Sequence, residues 1–374
     1  MGSRTAARFD VERIEMLDAE GRADAAVGVG IPDAGLLGYY RRMVEIRAFD
    51  EKATALCRQG KLIAYHRLRG HEATQIVPPT LLKPQDWMAP THRGHGAYYA
   101  RGLKLRYILL YWAGDERGLK LPEGSNDVVF SFPVGSHLTQ AAGLGLAARL
   151  RREDTVVLAY LGDGAAGKGD FHESLTLAGR LKLPVIYLIE NHRPSGDFPA
   201  EGGQDWPGGP KTLAQTAIAY GAHGVQVDGS DPLAVHQALS DAIERARLGG
   251  GPTVAECEVC RPTSVVPGEP SPADLGAWKM KDPVARLRRH LTAKGLWDDD
   301  RDMKLKVEAE TLVRYEAEEF EGALPPDPLD MFSENYATAP WHLREQRLEL
   351  EALLELKRGR KDVDDLPRPE GRFP

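Results

Sequence analysis

Apolar residues recur at helical spacing through LLGYYRRMVEIRAFDEKATALCRQG, and this pattern predicts a helix that stops at Gly60. Beyond it the chain changes to short, continuous apolar runs separated by amphipathic stretches. TVVLAYLG and PVIYLIEN have strand length and no polar alternation, as expected of strands covered on both faces. Between them lies DFHESLTLAGRL, with Phe171, Leu175, Ala178 and Leu181 on one helical face and Asp170 and Glu173 spaced as a capping box. Pro184 ends that helix, so Val156 to Asn191 reads as one βαβ unit with parallel strands. The alternation continues with TLAQTAIAYG as helix and GVQVDG as strand. DPLAVHQALSDAIERARLG then reads as a helix capped by Asp231 with Pro232 in its first turn, and TVAECEV as a further strand. Upstream, GSHLTQAAGLGLAARL is a helix of small residues, which lets another backbone approach closely.

These elements predict an α/β fold: an open, mostly parallel sheet with helices on both faces, followed by a C-terminal helical extension. Residues 1–35 read as a polar arm without a sustained period, 36–325 as the α/β domain, and 326–374 as the extension and polar tail. Within the extension, TAPWHLREQRLELEALLELKRG has the pattern of a long amphipathic helix. The final KDVDDLPRPEGRFP is polar enough to remain solvated.

Composition narrows the function without choosing it. A chain of 374 residues can build a substantial core unaided. Its net charge of -7, with basic and acidic residues interspersed, argues against a nucleic-acid partner. Three cysteines make no disulfide framework and fit a reducing compartment. Cys257 and Cys260 form a lone CxxC inside an apolar run, which reads as buried strand rather than as half of a zinc site. The apolar runs are far shorter than the roughly 20 residues a membrane helix needs. With no apolar signal core at the N-terminus, the expected setting is cytoplasmic, without a membrane.

The chemistry concentrates in LAYLGDGAAGKGDFHE. Gly162 to Lys168 spells GxxxxGK, but a nucleotide-binding P-loop needs Ser or Thr next, and Gly169 stands there. The carboxylate of Asp170 at the helix start would also repel a triphosphate. The other reading takes Asp163 as an oxygen ligand for a hard cation, with Gly162 and Gly164 letting the backbone approach a phosphate. In an open α/β sheet a second ligand comes from the neighbouring strand end, and Asn191 and His192 follow Asp163 by 28 and 29 positions. That spacing is the GDG…N signature of thiamine-diphosphate enzymes.

The chain resembles the alpha subunit of the thiamine-diphosphate-dependent decarboxylating component of 2-oxoacid dehydrogenase complexes. The resemblance runs from about residue 36 to 356, through GHEATQ, HRGHG, SFPVGSHL, GDGAAGKGDFHESL, DPVARLRRHLTAKGLW and PWHLREQ. SFPVGSHL is closer to the branched-chain type than to the pyruvate type. The resemblance implies oxidative decarboxylation of a 2-oxoacid, with the acyl group passed to a lipoyl-bearing acyltransferase core. It also implies a separate beta subunit that supplies the activating glutamate, in a two-alpha, two-beta assembly.

For the site, the resemblance implies thiamine diphosphate and Mg²⁺. Asp163, Asn191, His192 and the carbonyl of Pro194 are the implied metal ligands. His92, Arg93, Phe132, Val134, Gly162, Gly164 and Ala165 join Asp163, Asn191 and His192 around the cofactor. An Arg fork suits phosphate.

The chain departs from the family pattern at several of these positions. His92 stands where Tyr is usual, Phe132 where Ser is usual, His71 where Gln is usual, and His192 where a second Asn is usual. Imidazole nitrogen is a poor ligand for Mg²⁺, so either Asn191 takes over, the metal changes, or binding weakens. The family's catalytic His falls near Val265, and no His occurs between His236 and His290. His92 and His95 remain as candidate catalytic groups, while His71, His137 and His172 read as packing or hydrogen-bonding residues. Thr263 and Ser264 are ordinary loop residues unless the loop is phosphorylated. Two functional readings follow: an active alpha subunit with an altered site, or a degenerate alpha-like subunit kept for assembly or regulation.

Overall fold

The computed structural model describes residues 3–23, 30–192, 211–260, 279–332 and 336–358. The chain divides into two compact units, Met1–Glu321 and Gly322–Pro374. The first contains strand β1 (Glu12–Ile14), then helices α1 (Asp33–Arg58) and α2 (Glu72–Leu81), strand β2 (Trp87–Ala89), and helices α3 (His95–Ala100), α4 (Leu105–Trp112) and α5 (Ser136–Arg151). It continues with β3 (Val157–Gly162), α6 (Gly169–Leu181), β4 (Val185–Asn191), the single turn α7 (Thr216–Ala219), β5 (His223–Asp228), α8 (Pro232–Arg247) and β6 (Thr253–Glu258). It closes with α9 (Pro283–Ala293) and α10 (Asp299–Glu321); the second unit holds α11 (Trp341–Arg358). No described helix is long and apolar enough to cross a membrane.

The six strands form one parallel sheet in the order β1-β5-β6-β4-β3-β2, the α/β architecture expected from the alternation. β3 is apolar along its length and β4 up to Ile189, because their two faces meet two different layers. On one face Leu158, Tyr160, Ile186, Leu188, Ala255 and Cys257 join residues of α1, α2 and α8. On the other, Val157, Ala159, Leu161, Val185, Tyr187, Ile189 and Val254 join residues of α5 and α6. Cys257 is a buried strand residue, in keeping with the apolar run that carries it. The adjacent β3 and β4 end side by side, with Gly162 in register with Glu190. Their carboxyl ends are where open parallel sheets bind ligands.

Three local readings of the sequence change. The N-terminal arm supplies an edge strand, β1, too short for a period to reveal. Asp231 holds the segment that follows, accepting from Met16 and Leu17 backbone N–H groups at 2.7 and 2.6 Å. Its other oxygen caps α8 by accepting from Leu233 and Ala234. Asp170 does not cap α6: the helix starts at Gly169, running on from the 3-10 turn Asp163–Gly167, and Lys168 occupies the capping position without a side-chain bond. TLAQTAIAYG is a 3-10 turn plus α7 rather than a longer helix. The backbone N–H of Ala214 goes to Thr212 Oγ1 and Glu256 Oε2, side-chain acceptors that compete with helical hydrogen bonding.

Candidate functional site

Each central strand ends where its apolar run gives way to small or polar residues, and the two adjacent ends deliver Asp163 and His192 to one place. The imidazole Nδ1 of His192 donates to Asp163 Oδ1 at 3.0 Å. From the opposite side comes His71, at the N-terminus of α2. Its Nε2 lies 2.6 Å from His192 Nε2, and its Nδ1 donates to the carbonyl of Leu68 at 3.0 Å. The side chain of His71 is fully buried, in line with its reading as a hydrogen-bonding residue, yet its partner places it in the candidate site.

Arg93 lies in the turn between β2 and α3, with Nη1 3.5 Å from His192 Nε2. That distance is contact rather than a strong hydrogen bond. The turn is held from beneath by buried Gln75 of α2, whose Nε2 donates to the Arg93 carbonyl at 3.1 Å and whose Oε1 accepts from Gly96 N at 3.0 Å. Position 96 must be glycine because a Cβ there would lie 2.9 Å from Gln75 Cβ. Gln75 also reaches Glu190 Oε1 at 3.4 Å, and Thr74 Oγ1 donates to the same oxygen at 2.7 Å. Sequence reading passed over Gln75 and Glu190, although GHEATQ contains one of them.

The backbone around Asp163 is open: a Cβ added at Gly162 or at Gly164 would meet no atom within 4 Å. Such a surface admits a bulky anion against the main chain. Ala165 is buried in the same 3-10 turn. Lys168, which the P-loop reading would aim at a phosphate, instead donates to the Val134 carbonyl at 2.9 Å.

Asn191, the last residue of β4, bonds across to β6 through its amide nitrogen. Its Nδ2 donates to Glu256 Oε1 at 2.6 Å, on the sheet face lined by Ile189 and Val254. Among the described residues, no three His, Cys, Asp or Glu side chains form a group able to hold a metal ion. Pro194, Val265, Thr263 and Ser264 lie outside the described residues, as does the polar tail.

Beside Arg93 stands a wall of rings. His92 packs edge-on against His66, with centroids 4.8 Å apart, and beside Phe132 at 5.1 Å. Trp112 lies 5.2 Å from His66. Phe132 and Val134 are 54% and 45% exposed, unusual for apolar side chains in a folded interior. Burial, aided by the neighbouring His66 and Arg93, pushes the His92 imidazole down to about 4, so it is neutral near pH 7. His66 was not singled out from sequence; its only signal was its place in the segment just before GHEATQ.

His95, His137 and His172 are each held by local contacts. His95 stacks on Tyr65 and donates Nε2–H to the His66 carbonyl at 3.2 Å; complete burial pushes it down to about 3. His137 meets the Tyr160 carbonyl at 2.6 Å, and His172 meets the Tyr220 hydroxyl at 2.9 Å.

Comparison with known proteins bears on this arrangement. The model of a family described as dehydrogenase E1 component matches residues 40–328. A pyruvate dehydrogenase E1 component subunit alpha of Bacillus cereus is 33% identical over 348 residues, covering 91% of this chain and 92% of the relative. The protein of the same description from Acholeplasma laidlawii is 34% identical over 336 residues, 87% of this chain and 95% of the relative. That of Bacillus subtilis (strain 168) is 33% identical over 322 residues, covering 84% and 86%.

Proposed function

Because the chain belongs to the dehydrogenase E1 component family, we propose that it is the alpha subunit of a thiamine-diphosphate-dependent 2-oxoacid dehydrogenase component. The observation that carries this reading is the meeting of Asp163 and His192 at adjacent strand ends, with Arg93 alongside and open backbone at Gly162 and Gly164. This is a seat for a diphosphate: a guanidinium fork supplies paired donors, and the glycines leave room for phosphate oxygens. When bound, the cofactor supplies the carbon nucleophile and the electron sink for decarboxylation. Magnesium does not fit the donors that face this point. Among the described residues, one carboxylate and two imidazoles are a poor set for an ion that demands octahedral oxygen. No step is assigned to it.

The residues of this chain bind and position. Arg93 holds a phosphate oxygen, and Gln75 keeps the Arg93 turn in place. His92, neutral at physiological pH, offers a hydrogen bond rather than a charge to a substrate carboxylate or carbonyl. Phe132, Val134 and Trp112 exclude water from that side. A separate beta chain completes the site with its activating glutamate, in a two-alpha, two-beta assembly that passes the acyl group to a lipoyl-bearing core.

The relatives are named for pyruvate, whereas SFPVGSHL resembles the branched-chain type. The exposed apolar wall of Phe132 and Val134 supports the latter, since a branched alkyl chain covers more of it than a methyl group does. Reconstitution with the beta chain and release of labelled carbon dioxide from pyruvate and from 2-oxoisovalerate test this. We expect 2-oxoisovalerate to have the higher kcat/KM by about tenfold or more; a preference for pyruvate refutes the branched-chain assignment. Cofactor binding with release from neither substrate favours the second reading, a subunit kept for assembly. One sequence fact supports that reading, namely that no histidine lies between His236 and His290.

A further inference from the structure

Helices α1 and α10 run side by side in the same direction. Tyr40 Oη donates to Asp302 Oδ1 at 2.6 Å near their starts, and Lys61 Nζ lies 2.9 Å from Glu321 Oε1 near their ends. Between them and α9 lies a pocket of about 320 Å³, a volume that takes a small organic molecule. It shares no lining residue with the candidate site. Val44, Ala48, Val284, Ala285 and Ala309 give it an apolar surface of short side chains. Its polar lining is charged, and the charges are ordered: Arg47 and Glu51 stand one turn apart on α1, Lys306 and Glu310 one turn apart on α10, each cation preceding its acid. Among the described residues neither acid pairs with the cation one turn before it, the less favourable order for such a pair on a helix. Glu51 instead has Arg69 Nη1 at 3.6 Å, Lys306 turns back to Asp302 Oδ2 at 2.9 Å, and Arg47 is held by Glu72 and Asp282. Arg288 joins the basic end, its Nε 3.4 Å from Asp302 Oδ1. The pocket therefore has a basic end, where Lys306 and Arg288 keep further N–H groups, and an acidic end one helical turn, roughly 5 Å, away.

We infer that this pocket binds a free aliphatic α-amino acid. The carboxylate meets Lys306 and Arg288, the ammonium meets Glu51 and Glu310, and the hydrocarbon side chain covers the valines and alanines. Charge balance selects a dipolar ligand. Arg47, Arg288 and Lys306 are matched in number by Glu51, Asp302 and Glu310, so an anion alone would be opposed by carboxylates and a cation alone by cations already in place. Such contacts between an ionised donor and an ionised acceptor are the strong ones. The spacing selects an α-amino acid. Its nitrogen and carboxyl carbon are about 2.5 Å apart, and the long, flexible side chains of Lys306, Glu51 and Glu310 converge on that distance from positions one turn apart. The short apolar side chains select the hydrocarbon: glycine would leave that surface in water, whereas a branched alkyl group covers it.

The test is calorimetric titration of the full-length chain, purified with its beta partner, with L-leucine. Three partial mimics are titrated in parallel: 4-methylpentanoate, which lacks the ammonium; 3-methylbutylamine, which lacks the carboxylate; and glycine, which lacks the side chain. We expect leucine to bind saturably and each mimic to bind about tenfold or more weakly. A mimic that matches leucine overturns the assignment of a dipolar, aliphatic ligand, and leucine that fails to saturate overturns the site itself, as it would if a helix of the partner filled the pocket. The double variant Lys306→Met/Glu310→Gln locates the binding. Both side chains are exposed on α10, so the fold is kept, and the variant should bind leucine about tenfold or more weakly than wild type. Unchanged leucine affinity in this variant places the ligand elsewhere and overturns the inference. The thiamine-diphosphate reading of the candidate site is untouched by any of these results.

Discussion

Gln75 is the residue through which the Arg93 turn is tied to the sheet, and its replacement gives a prediction with a distinctive pH dependence. In Gln75→Leu the volume is roughly kept, but the buried Gly96 N–H loses its acceptor. The Arg93 carbonyl and Glu190 each lose a donor, at 3.1 and 3.4 Å. An unsatisfied buried N–H costs about 1–3 kcal/mol and each lost bond about 1, so the variant should be destabilised by about 3 kcal/mol. This loss should vary little with pH. Gln75→Glu keeps an acceptor for Gly96, yet its second oxygen faces the Arg93 carbonyl and the Glu190 carboxyl, and only the protonated acid can donate there. Burial and the neighbouring carboxyl raise its folded pKa above the unfolded value of about 4.3. The folded state then binds more protons than the unfolded one, so stability is present at low pH and is lost as pH rises through the folded pKa, at up to about 1.4 kcal/mol per unit. Urea unfolding at intervals from pH 5 to pH 8, with wild type as reference, measures both. The Gln75→Glu deficit should grow with pH and the Gln75→Leu deficit should not. Parallel curves for wild type and Gln75→Glu would refute the placement of Gln75 between these partners.

Three further outcomes follow from the geometry. Gly179→Ala would place a Cβ 2.0 Å from the Tyr220 carbonyl oxygen, and backbone cannot yield cheaply there, so chemical unfolding should show a loss of about 2 kcal/mol or more. Asp231→Ala removes an acceptor from four backbone N–H groups, two at the start of α8 and two in the N-terminal arm. It should cost about 3 kcal/mol and open the arm to limited proteolysis, and an unchanged cleavage pattern would refute the clamp. The wild type should lose stability as pH falls below about 6.5, because His95 is held at about 3 while the unfolded imidazole titrates near 6.5 and takes up protons first. His95→Gln should flatten that slope by on the order of 1 kcal/mol per pH unit, read from urea melts between pH 7 and pH 5.

The strands could be read from the sequence because β3 and most of β4 are apolar on both faces, and a run such as VVLAYL admits few other placements. Asp163 and His192 were legible for a related reason: the end of an apolar run marks the end of a strand, and adjacent parallel strands end together. Orientation was not legible. Asn191 and His192 are consecutive, so strand alternation sends one toward Glu256 and lets the other reach Asp163, and the spacing alone does not say which. The contact of His71 with His192 depends on where the N-terminus of α2 crosses the sheet, which no local pattern encodes. The missed cap at Asp170 and the short α7 share one cause: competing hydrogen bonds from a preceding 3-10 turn, and from Thr212 and Glu256, override the propensity of the segment.

Both margins of the sheet are strands of only three residues, Glu12–Ile14 on one side and Trp87–Ala89 on the other. So short a border offers too few unpaired amides and carbonyls to template another chain, and on the second of them the Met88 N–H and carbonyl are already taken by Asn126 and Val128. Molecules of this protein are thereby denied the simplest mode of self-recruitment, strand against strand into an endless ribbon. Whatever company the subunit keeps must be chosen by side chains on its helices and loops, where a match can be specific and finite.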